Sequence, residues 1–214
     1  MEYSFFINLL TNLREINLPG RVAHSLLAPP QRMSQLRSIQ NTSIKLKKAA
    51  VLLLLYPNAE GKVSFVLTRR KVYKGVHSGQ ISFPGGKPEP SDDDLWATAL
   101  RETHEEVGVS SDQVKYLRLL TELYVPPSDF LIIPFVGYSE ETCVFKPDPT
   151  EVDAILEIPL QGLISKKPMM KKQDTSSCGS VKVPTYVFDH HQVWGATAMI
   201  LSEFQMLLTA QRSK

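Results

Sequence analysis

The chain has little cysteine, no long apolar stretch and little net charge. Its two cysteines, Cys143 and Cys178, are too few for a disulfide framework or a cysteine zinc site, so we expect a reducing, cytoplasmic compartment. The longest apolar run, Ala49–Tyr56, has the length of a strand and is too short to cross a bilayer. A formal net charge of +2 gives no bulk attraction for nucleic acid. We therefore expect neither a nucleic-acid partner nor a membrane partner.

The length and the hydrophobic patterning predict one α+β domain over residues 1–214. An N-terminal helix and arm are expected over 1–46, and the core over 47–165. The polar, lysine-rich stretch 166–183 is expected to be a mobile loop, and residues 184–214 a final strand and helix. No internal repeat or low-complexity tract divides the chain.

Local patterns predict individual elements within these segments. Residues 4–16 have apolar side chains at helical spacing, and the proline-limited stretch 21–33 is expected to be an extended arm. The expected strands are 47–56, 63–69, 114–124, 130–138, 154–158 and the "TYVFD" stretch, with a short helical turn at 160–164.

A helix is predicted after the acidic run at 92–94. Ser91 is the expected capping residue, the aspartates suit the positive end of the helix dipole, and Gly108 is the expected stop. At about 100° per residue, one stripe of this helix is apolar and is expected to face the core. The stripe consists of Trp96, Leu100, Thr103 and Val107.

Three glutamates share the nearly opposite arc of that helix: Glu102, Glu105 and Glu106. A solvated helix face is the ordinary interpretation of such a cluster. Glutamates at this spacing repel one another, however, and only Arg101 is placed to pair with one of them, Glu105. They also lie toward the helix C-terminus, where the dipole disfavours negative charge. A hard divalent cation with oxygen ligands is the alternative, and the "FPGG" turn at 83–86 would form a wall of its site.

Residues 86–109 resemble the Nudix box, G-x5-E-x7-R-E-U-x-E-E-x-G-U, in which U is aliphatic. The second half, "RETHEEVGV", matches closely, with Thr103 at a usually aliphatic position. The first half has one extra residue, so counting from Gly86 places the acidic position at Asp92, whereas counting back from the arginine places it at Asp93. The resemblance implies a Nudix hydrolase. Such enzymes have an α/β/α sandwich around a mixed β-sheet and cleave nucleoside diphosphate derivatives with Mg²⁺ or Mn²⁺.

The resemblance also implies roles for individual residues. The expected metal ligands are Gly86, through its carbonyl, and Glu102, Glu105 and Glu106. The expected catalytic residues are Arg101, which would orient a glutamate, and either Glu105 or Glu151 as general base. The expected substrate-binding residues are Arg70, Lys74, His77, Ser78 and Gly79. A solvated loop position is an equal alternative for Glu151, and a purely structural turn position is one for His77.

Four further stretches are similar to the coenzyme A diphosphatase subfamily: 18–29, 67–86, 126–138 and 194–201. One departure is Gly75, which stands where that group usually has a second arginine. The resemblance implies hydrolysis of coenzyme A or its thioesters to 3′,5′-ADP and 4′-phosphopantetheine or its acyl form. The alternatives are an ADP-ribose or other nucleotide-sugar diphosphatase, and a catalytically silent Nudix-fold binding module. Whether the protein forms a homodimer stays open.

Overall fold

The computed structural model describes residues 3–32, 46–71, 79–175 and 179–211. The helices are α1 (Tyr3–Glu15), α2 (Arg21–Leu27), α3 (Leu95–Val107), α4 (Leu160–Ile164) and α5 (Gly195–Gln211). The strands are β1 (Lys47–Pro57), β2 (Val63–Arg70), β3 (Ile81–Ser82), β4 (Gly85–Gly86), β5 (Lys115–Leu119), β6 (Leu123–Val125), β7 (Phe130–Tyr138), β8 (Val152–Pro159), β9 (Met169–Thr175), β10 (Gly179–Phe188) and β11 (His191–Val193). Within this described part of the chain, no helix is both long and apolar enough to cross a bilayer.

The main sheet is mixed and has the path β3-β2-β1-β7-β5. Strands β1 and β7 run parallel, in register from Lys47 opposite Phe130 to Leu55 opposite Tyr138. The other pairings are antiparallel, with β4 on β1, β6 on β7 and β8 on β2. A smaller antiparallel sheet has the order β11-β10-β9.

Strand β1 shows how the helices cover both faces of the main sheet. Successive side chains of a strand point to opposite faces, so a strand covered on both faces is apolar almost throughout. Leu53 and Leu55 belong to the core cluster shared with α1, α2 and α5. Leu52 and Leu54 belong to the cluster beneath α3. The expected α/β/α sandwich with a central mixed sheet is therefore confirmed.

Helix α3 begins three residues later than a Ser91 cap would allow. Its N-cap is Asp94, whose side chain accepts a hydrogen bond of 2.8 Å from the Ala97 backbone N–H. Its end is as predicted: Gly108 has a left-handed φ of 78°, and its N–H donates to the His104 carbonyl at 2.8 Å. Ser91 was the wrong cap because the intervening Asp92 is engaged elsewhere, as described below.

The buried face of α3 overlaps the predicted apolar stripe only in part. Thr103 and Val107 are buried as expected, whereas Trp96 and Leu100 are half-buried. The ring of Trp96 instead packs edge-on against Tyr116, with 5.3 Å between the ring centroids. Helix α3 thus lies on the sheet along its whole length, with Thr98 and Ala99 also fully buried.

Two segments have more regular structure than their composition suggested. Within the expected arm, Arg21–Leu27 is helix α2, which has no internal proline and buries Ala23 and Leu27. The expected loop over 166–183 is also wrong, because β9 and β10 form a hairpin there, in register from Met169 opposite Thr185 to Thr175 opposite Gly179. Lysine and serine dominate the composition of this stretch, so its sequence predicts a loop although it forms strands with one polar face.

The predicted strand over 114–124 is interrupted, and the final strand is longer than predicted. Strand β5 ends at Leu119, and β6 begins at Leu123, with the Leu120 N–H donating to the Pro134 carbonyl at 2.9 Å in between. The "TYVFD" stretch is the end of β10, and β11 follows it.

A buried carboxylate joins α5 to the start of α2 and to the turn between β5 and β6. Glu203 accepts hydrogen bonds from the Gly20 N–H at 3.1 Å and from the Thr121 hydroxyl at 2.6 Å and N–H at 3.1 Å. Its Oε2 lies 3.1 Å from His24 Nε2, and both side chains are almost fully buried. Burial alone would raise the pKa of Glu203, but the hydrogen bonds from His24 and Thr121 outweigh it and lower the pKa.

Replacing Glu203 with alanine should lower the free energy of unfolding by about 3 kcal/mol, because several buried donors lose their acceptor together. Urea unfolding measures this difference. The matched control is Ser202→Ala, which removes a buried hydroxyl that donates to the Ala23 carbonyl and contacts Tyr186, and it should cost about 1 kcal/mol. Equal losses in the two variants would contradict the role of Glu203.

The effect of Glu203→Ala should also depend on pH in a defined direction. The folded-state pKa of Glu203 is depressed, so its contribution is present above the unfolded-state pKa and is lost as the pH falls through the folded-state pKa. The difference in free energy of unfolding between the parent and the variant should therefore become smaller as the pH is lowered. Urea unfolding at a series of pH values measures it.

Candidate active site

Five carboxylates line one cleft of about 190 Å³ beside the C-terminal half of α3. Glu102, Glu105 and Glu106 come from the helix, and Asp148 and Glu151 come from the loop before β8. The cleft brings together the predicted glutamates of the helix and the distal Glu151. Asp148 was not predicted; its only signal in the sequence is its position three residues before Glu151, in "DPTE".

The three helix glutamates differ in burial. The exposed fraction of the side chain is 53% for Glu105, 16% for Glu102 and 4% for Glu106. Glu106 lies against β2, where Thr68 Oγ1 is 3.5 Å from its Oε2. A solvated helix face therefore describes only Glu105.

Burial and neighbouring charges raise the proton affinity of the two inner glutamates. Loss of water raises the pKa of Glu106 to about 8, with Arg70 opposing the rise and the carboxylates of Glu102 and Glu151 adding to it. Burial likewise raises the pKa of Glu102, against the effect of Arg101. The two inner carboxylates are therefore harder to ionise than an exposed glutamate is, unless a cation compensates their charge.

Arg101 connects the helix to the loop that precedes it. Its Nε and Nη2 donate to the two carboxylate oxygens of Asp92 at 2.9 and 3.0 Å, and Nη1 donates to Glu105 at 2.8 Å. Nη2 also donates to the Lys87 carbonyl at 2.9 Å. The pairing with Glu105 is the one predicted from the helical spacing.

Asp92, rather than Asp93, is the acidic partner of Arg101. The Asp92 carboxylate also accepts hydrogen bonds from the Glu89 N–H at 2.8 Å and the Thr98 hydroxyl at 2.9 Å. These donors, Arg101 first among them, hold the pKa of Asp92 well below its usual range. Asp93 is exposed. The geometry thus decides between the two alignments that the extra residue in the loop left open.

The Gly85-Gly86 turn lies directly against a helix carboxylate. Gly86 is paired with Ala50 of β1, and a Cβ built on it would lie 2.3 Å from Glu102 Oε1. A side chain at this position would displace the carboxylate, so only glycine allows the approach. The turn therefore lies beside Glu102, while its part as a wall of a metal site and the use of the Gly86 carbonyl as a metal ligand stay predictions.

The loop that carries Asp148 and Glu151 is attached to the end of α3. Its backbone N–H groups at Lys146 and Asp148 donate to the carbonyls of Val107 and Glu106 at 2.9 and 3.0 Å. These bonds satisfy carbonyls that the last helical turn leaves unpaired. At the far end of the loop, the Lys71 N–H donates to the Glu151 carbonyl at 2.9 Å.

Arg70 is the predicted substrate residue that the structure places at the cleft. Its Nη1 lies 3.8 Å from Glu106 Oε1, and its buried Nε has no hydrogen-bond partner among the described residues. Gly79 has a positive φ of 67°, and its N–H donates to the Lys71 carbonyl at 3.3 Å. Lys74, His77 and Ser78 lie outside the described residues, so their roles stay predictions.

The donor set fits a hard divalent cation, because every side chain that lines the cleft offers carboxylate oxygens. Among the residues that the structure describes, no three acidic, histidine or cysteine side chains already form a complete ligand set. Arg101 holds Glu105 by a hydrogen bond and has Nη1 3.3 Å from Glu102 Oε1. The oxygen donors that such a cation needs are present in the cleft.

Comparison with known proteins shows that the chain is similar to Nudix hydrolases. A family model described as the NUDIX domain matches residues 46–176. Nudix hydrolase 22, chloroplastic, from Arabidopsis thaliana is 34% identical over 163 residues, covering 72% of this chain and 53% of that protein. An uncharacterized Nudix hydrolase, NudL, from Photorhabdus laumondii is 33% identical over 185 residues, covering 86% of this chain and 92% of that protein.

A third relative carries a substrate in its name. The mitochondrial coenzyme A diphosphatase NUDT8 from Homo sapiens is 33% identical over 141 residues, covering 64% of this chain and 58% of that protein. The chain thus spans little more than half the length of the plant and human relatives, and nearly all of the bacterial one.

A solved structure agrees on the fold. The crystal structure of a Nudix hydrolase from M. smegmatis, RenU, superposes with a TM-score of 0.51 at 15% identity, covering 78% of this chain and 86% of that chain. At this identity the likeness concerns the architecture, which is the same mixed α+β sandwich.

Gly86→Ala should weaken Mn²⁺ binding by roughly 10- to 100-fold, because the new methyl group would displace the Glu102 carboxylate. Electron paramagnetic resonance of free Mn²⁺ during titration measures the affinity. The clash involves the end of a flexible side chain, so the fold should be retained, and a thermal melt checks this. Gly162→Ala is the matched control, because a Cβ there meets nothing within 4 Å. If Gly86→Ala bound Mn²⁺ as tightly as the parent, neither Gly86 nor Glu102 would be part of the cation site.

Proposed function

Because the chain belongs to the Nudix hydrolase family, we propose that it cleaves the diphosphate bond of coenzyme A or its thioesters. The products would be 3′,5′-ADP and 4′-phosphopantetheine or its acyl form. The observation that carries this proposal is the cleft itself, in which five carboxylates lie beside Arg101 and the partly buried Arg70. Such a cleft suits a diphosphate that brings divalent cations with it.

The carboxylates of α3 would hold the cation. Glu102, Glu105 and Glu106, with the Gly86 carbonyl, are the proposed ligands of Mg²⁺ or Mn²⁺, which would neutralise the diphosphate and acidify the attacking water. Arg101 would orient Glu105 and Glu102 through the contacts it makes with them, and Asp92 would in turn fix Arg101.

Glu151 is the better placed of the two candidate bases. Glu105 already accepts a hydrogen bond from Arg101 and is a proposed cation ligand, so its carboxylate oxygens are engaged. Glu151 lines the same cleft from a loop that α3 and Lys71 hold in place. Its carboxylate would take the proton of the attacking water.

Arg70 would bind a substrate phosphate. Its guanidinium lies at the rim of the acidic cleft, with an Nε that lacks a partner among the described residues. The adjacent Arg69 points away, donating to Asp153 at 2.7 Å. Coenzyme A carries a 3′-phosphate beyond its diphosphate, which gives the basic stretch around Arg70 a second anionic group to meet. The human relative named for coenzyme A supports this substrate.

An ADP-ribose or other nucleotide-sugar diphosphatase is the alternative within the family. The observation in its favour is Gly75, which replaces an arginine usual in the coenzyme A group. A silent binding module is disfavoured, because Glu102, Glu105 and Glu106 are all retained and line the cleft.

The cytoplasmic location stays a prediction, since two of the relatives are named chloroplastic and mitochondrial. The homodimer stays open.

A substrate comparison tests the proposal. With Mg²⁺ or Mn²⁺ present, kcat/KM for coenzyme A should exceed that for dephospho-coenzyme A by about ten-fold or more, the difference that one charge-assisted contact to the 3′-phosphate makes. Products are identified by mass, and chelation of the cation should abolish turnover. A clear preference for ADP-ribose would contradict the proposal and support a nucleotide-sugar diphosphatase. Absence of turnover for every diphosphate tested would support a catalytically silent binding module.

Arg70→Ala should lower kcat/KM for the preferred substrate by roughly 10- to 100-fold, because a charge-assisted phosphate contact is lost. The matched control is the neighbouring Arg69→Ala, whose exposed ion pair with Asp153 should matter less than about three-fold. Steady-state kinetics of the two variants measure the difference. Equal losses would show that Arg70 has no special part in substrate binding.

A further inference from the structure

The β9–β10 hairpin concentrates positive charge away from the cleft. Its residues and the turn before it contain five lysines: Lys166, Lys167, Lys171, Lys172 and Lys182. The stretch 166–182 has a single acidic residue, Asp174. None of the five lysines forms an ion pair with a carboxylate in the described part of the chain.

Two of these lysines face each other across the hairpin. Lys172 is directly opposite Lys182 in the antiparallel register, so their Cβ atoms are about 5 Å apart on the same face. Both side chains are exposed. Like charges directly opposite one another destabilise a hairpin, so an anionic partner would relieve the repulsion between these two lysines.

Two methionines next to the lysines are exposed as well. Met169 and Met170 have 48% and 55% of their surface exposed, and Met170 shares its face of β9 with Lys172. Protection of a sheet edge by lysine explains charges on the edge strand β9. It explains Lys182 as well, because β11 pairs with β10 only from Tyr186 to Phe188 among the described residues. It does not explain the methionines, which would favour association.

We propose that the hairpin surface centred on Met170, Lys172 and Lys182, which share one face, docks on a lipid surface with anionic headgroups. Lysines beside exposed apolar side chains suit such a surface, where the charges meet headgroups and the thioethers enter the boundary of the acyl chains. A nucleic acid would satisfy the lysines but would give the methionines no apolar contact. This departs from the expectation, based on the lack of a long apolar run, that no membrane partner exists.

The hairpin leaves the cleft free. Strand β10 contacts α2 and α5, and its Tyr186 and Phe188 belong to the core cluster on the face of the main sheet opposite α3. Docking through the hairpin therefore would not cover the carboxylates beside α3. The proposal is independent of which diphosphate the enzyme cleaves.

Co-sedimentation with vesicles tests the docking. The full chain should sediment with vesicles of phosphatidylcholine and phosphatidylserine at low ionic strength, and remain in solution with phosphatidylcholine alone. Raising the salt concentration should weaken the association, because exposed charges are screened. Absence of binding to the anionic vesicles at low salt would overturn the proposal.

Paired variants locate the surface. Lys172→Glu with Lys182→Glu should lower the partition coefficient by about ten-fold or more. Lys62→Glu with Lys115→Glu makes the same change in net charge at two exposed lysines elsewhere and should have a much smaller effect. Met169→Ser with Met170→Ser should weaken binding while preserving its salt dependence. Far-ultraviolet circular dichroism checks that each variant is folded.

Three outcomes would overturn the assignment. The hairpin and control variants could bind vesicles equally, or the methionine variant could bind as tightly as the parent, which would exclude an apolar contribution. The protein could also bind duplex DNA or RNA, with the same dependence on Lys172 and Lys182, while ignoring vesicles. That result would show that the partner of the hairpin is a nucleic acid and not a lipid surface.

Discussion

Loss of water and repulsion between neighbouring carboxylates together raise the pKa values of Glu102 and Glu106. A cleft that holds five acidic side chains can exist only where the rest of the fold keeps them together. Arg101 and Arg70 supply part of the opposing charge, and backbone contacts supply the rest of the constraint. The site is therefore best understood as a concentration of negative charge that the scaffold maintains for a cationic ligand.

The scaffold achieves this by attaching each end of the cleft to regular structure. Gly86 is paired with β1, so its backbone is fixed against the Glu102 carboxylate. The loop carrying Asp148 and Glu151 caps the last carbonyls of α3. Asp92 holds Arg101 with two hydrogen bonds and thereby orients the side of the cleft nearest Glu105. Sheet, helix and loop meet at this point, and none of them alone would bring the carboxylates together.

Much of this was predictable, because the determining interactions are close in sequence. The spacing of Glu102, Glu105 and Arg101 along one helix sets their mutual distance, and Gly108 ends that helix through its left-handed backbone. What failed depends on contacts distant in sequence. Nothing near Asp148 indicates that its loop reaches α3. Counting from Gly86 offered Asp92 as one of two acidic positions, but only the folded loop shows that Arg101 engages it and not Asp93.

The same reasoning explains the missed hairpin and helix α2. Val183 and Thr185 become a buried face only once β10 lies against the body of the domain, so the lysine-rich stretch reads as a loop. Helix α2 depends likewise on α5, because Glu203 of α5 accepts a hydrogen bond from the Gly20 N–H and contacts the His24 side chain. The burial that stabilises each element is created by a partner far along the chain.

The formal net charge of +2 conceals two opposite concentrations of charge. The carboxylates lie beside α3, whereas the lysines lie on a hairpin whose buried residues belong to the other side of the main sheet. The sheet therefore separates two sets of like charges, each lacking sufficient partners among the described residues. A composition that averages to near neutrality excludes bulk attraction to a polyanion, but it says nothing about local surfaces. Because the two sets lie on opposite sides of the main sheet, a cation in the cleft and an anionic surface at the hairpin could be bound at the same time.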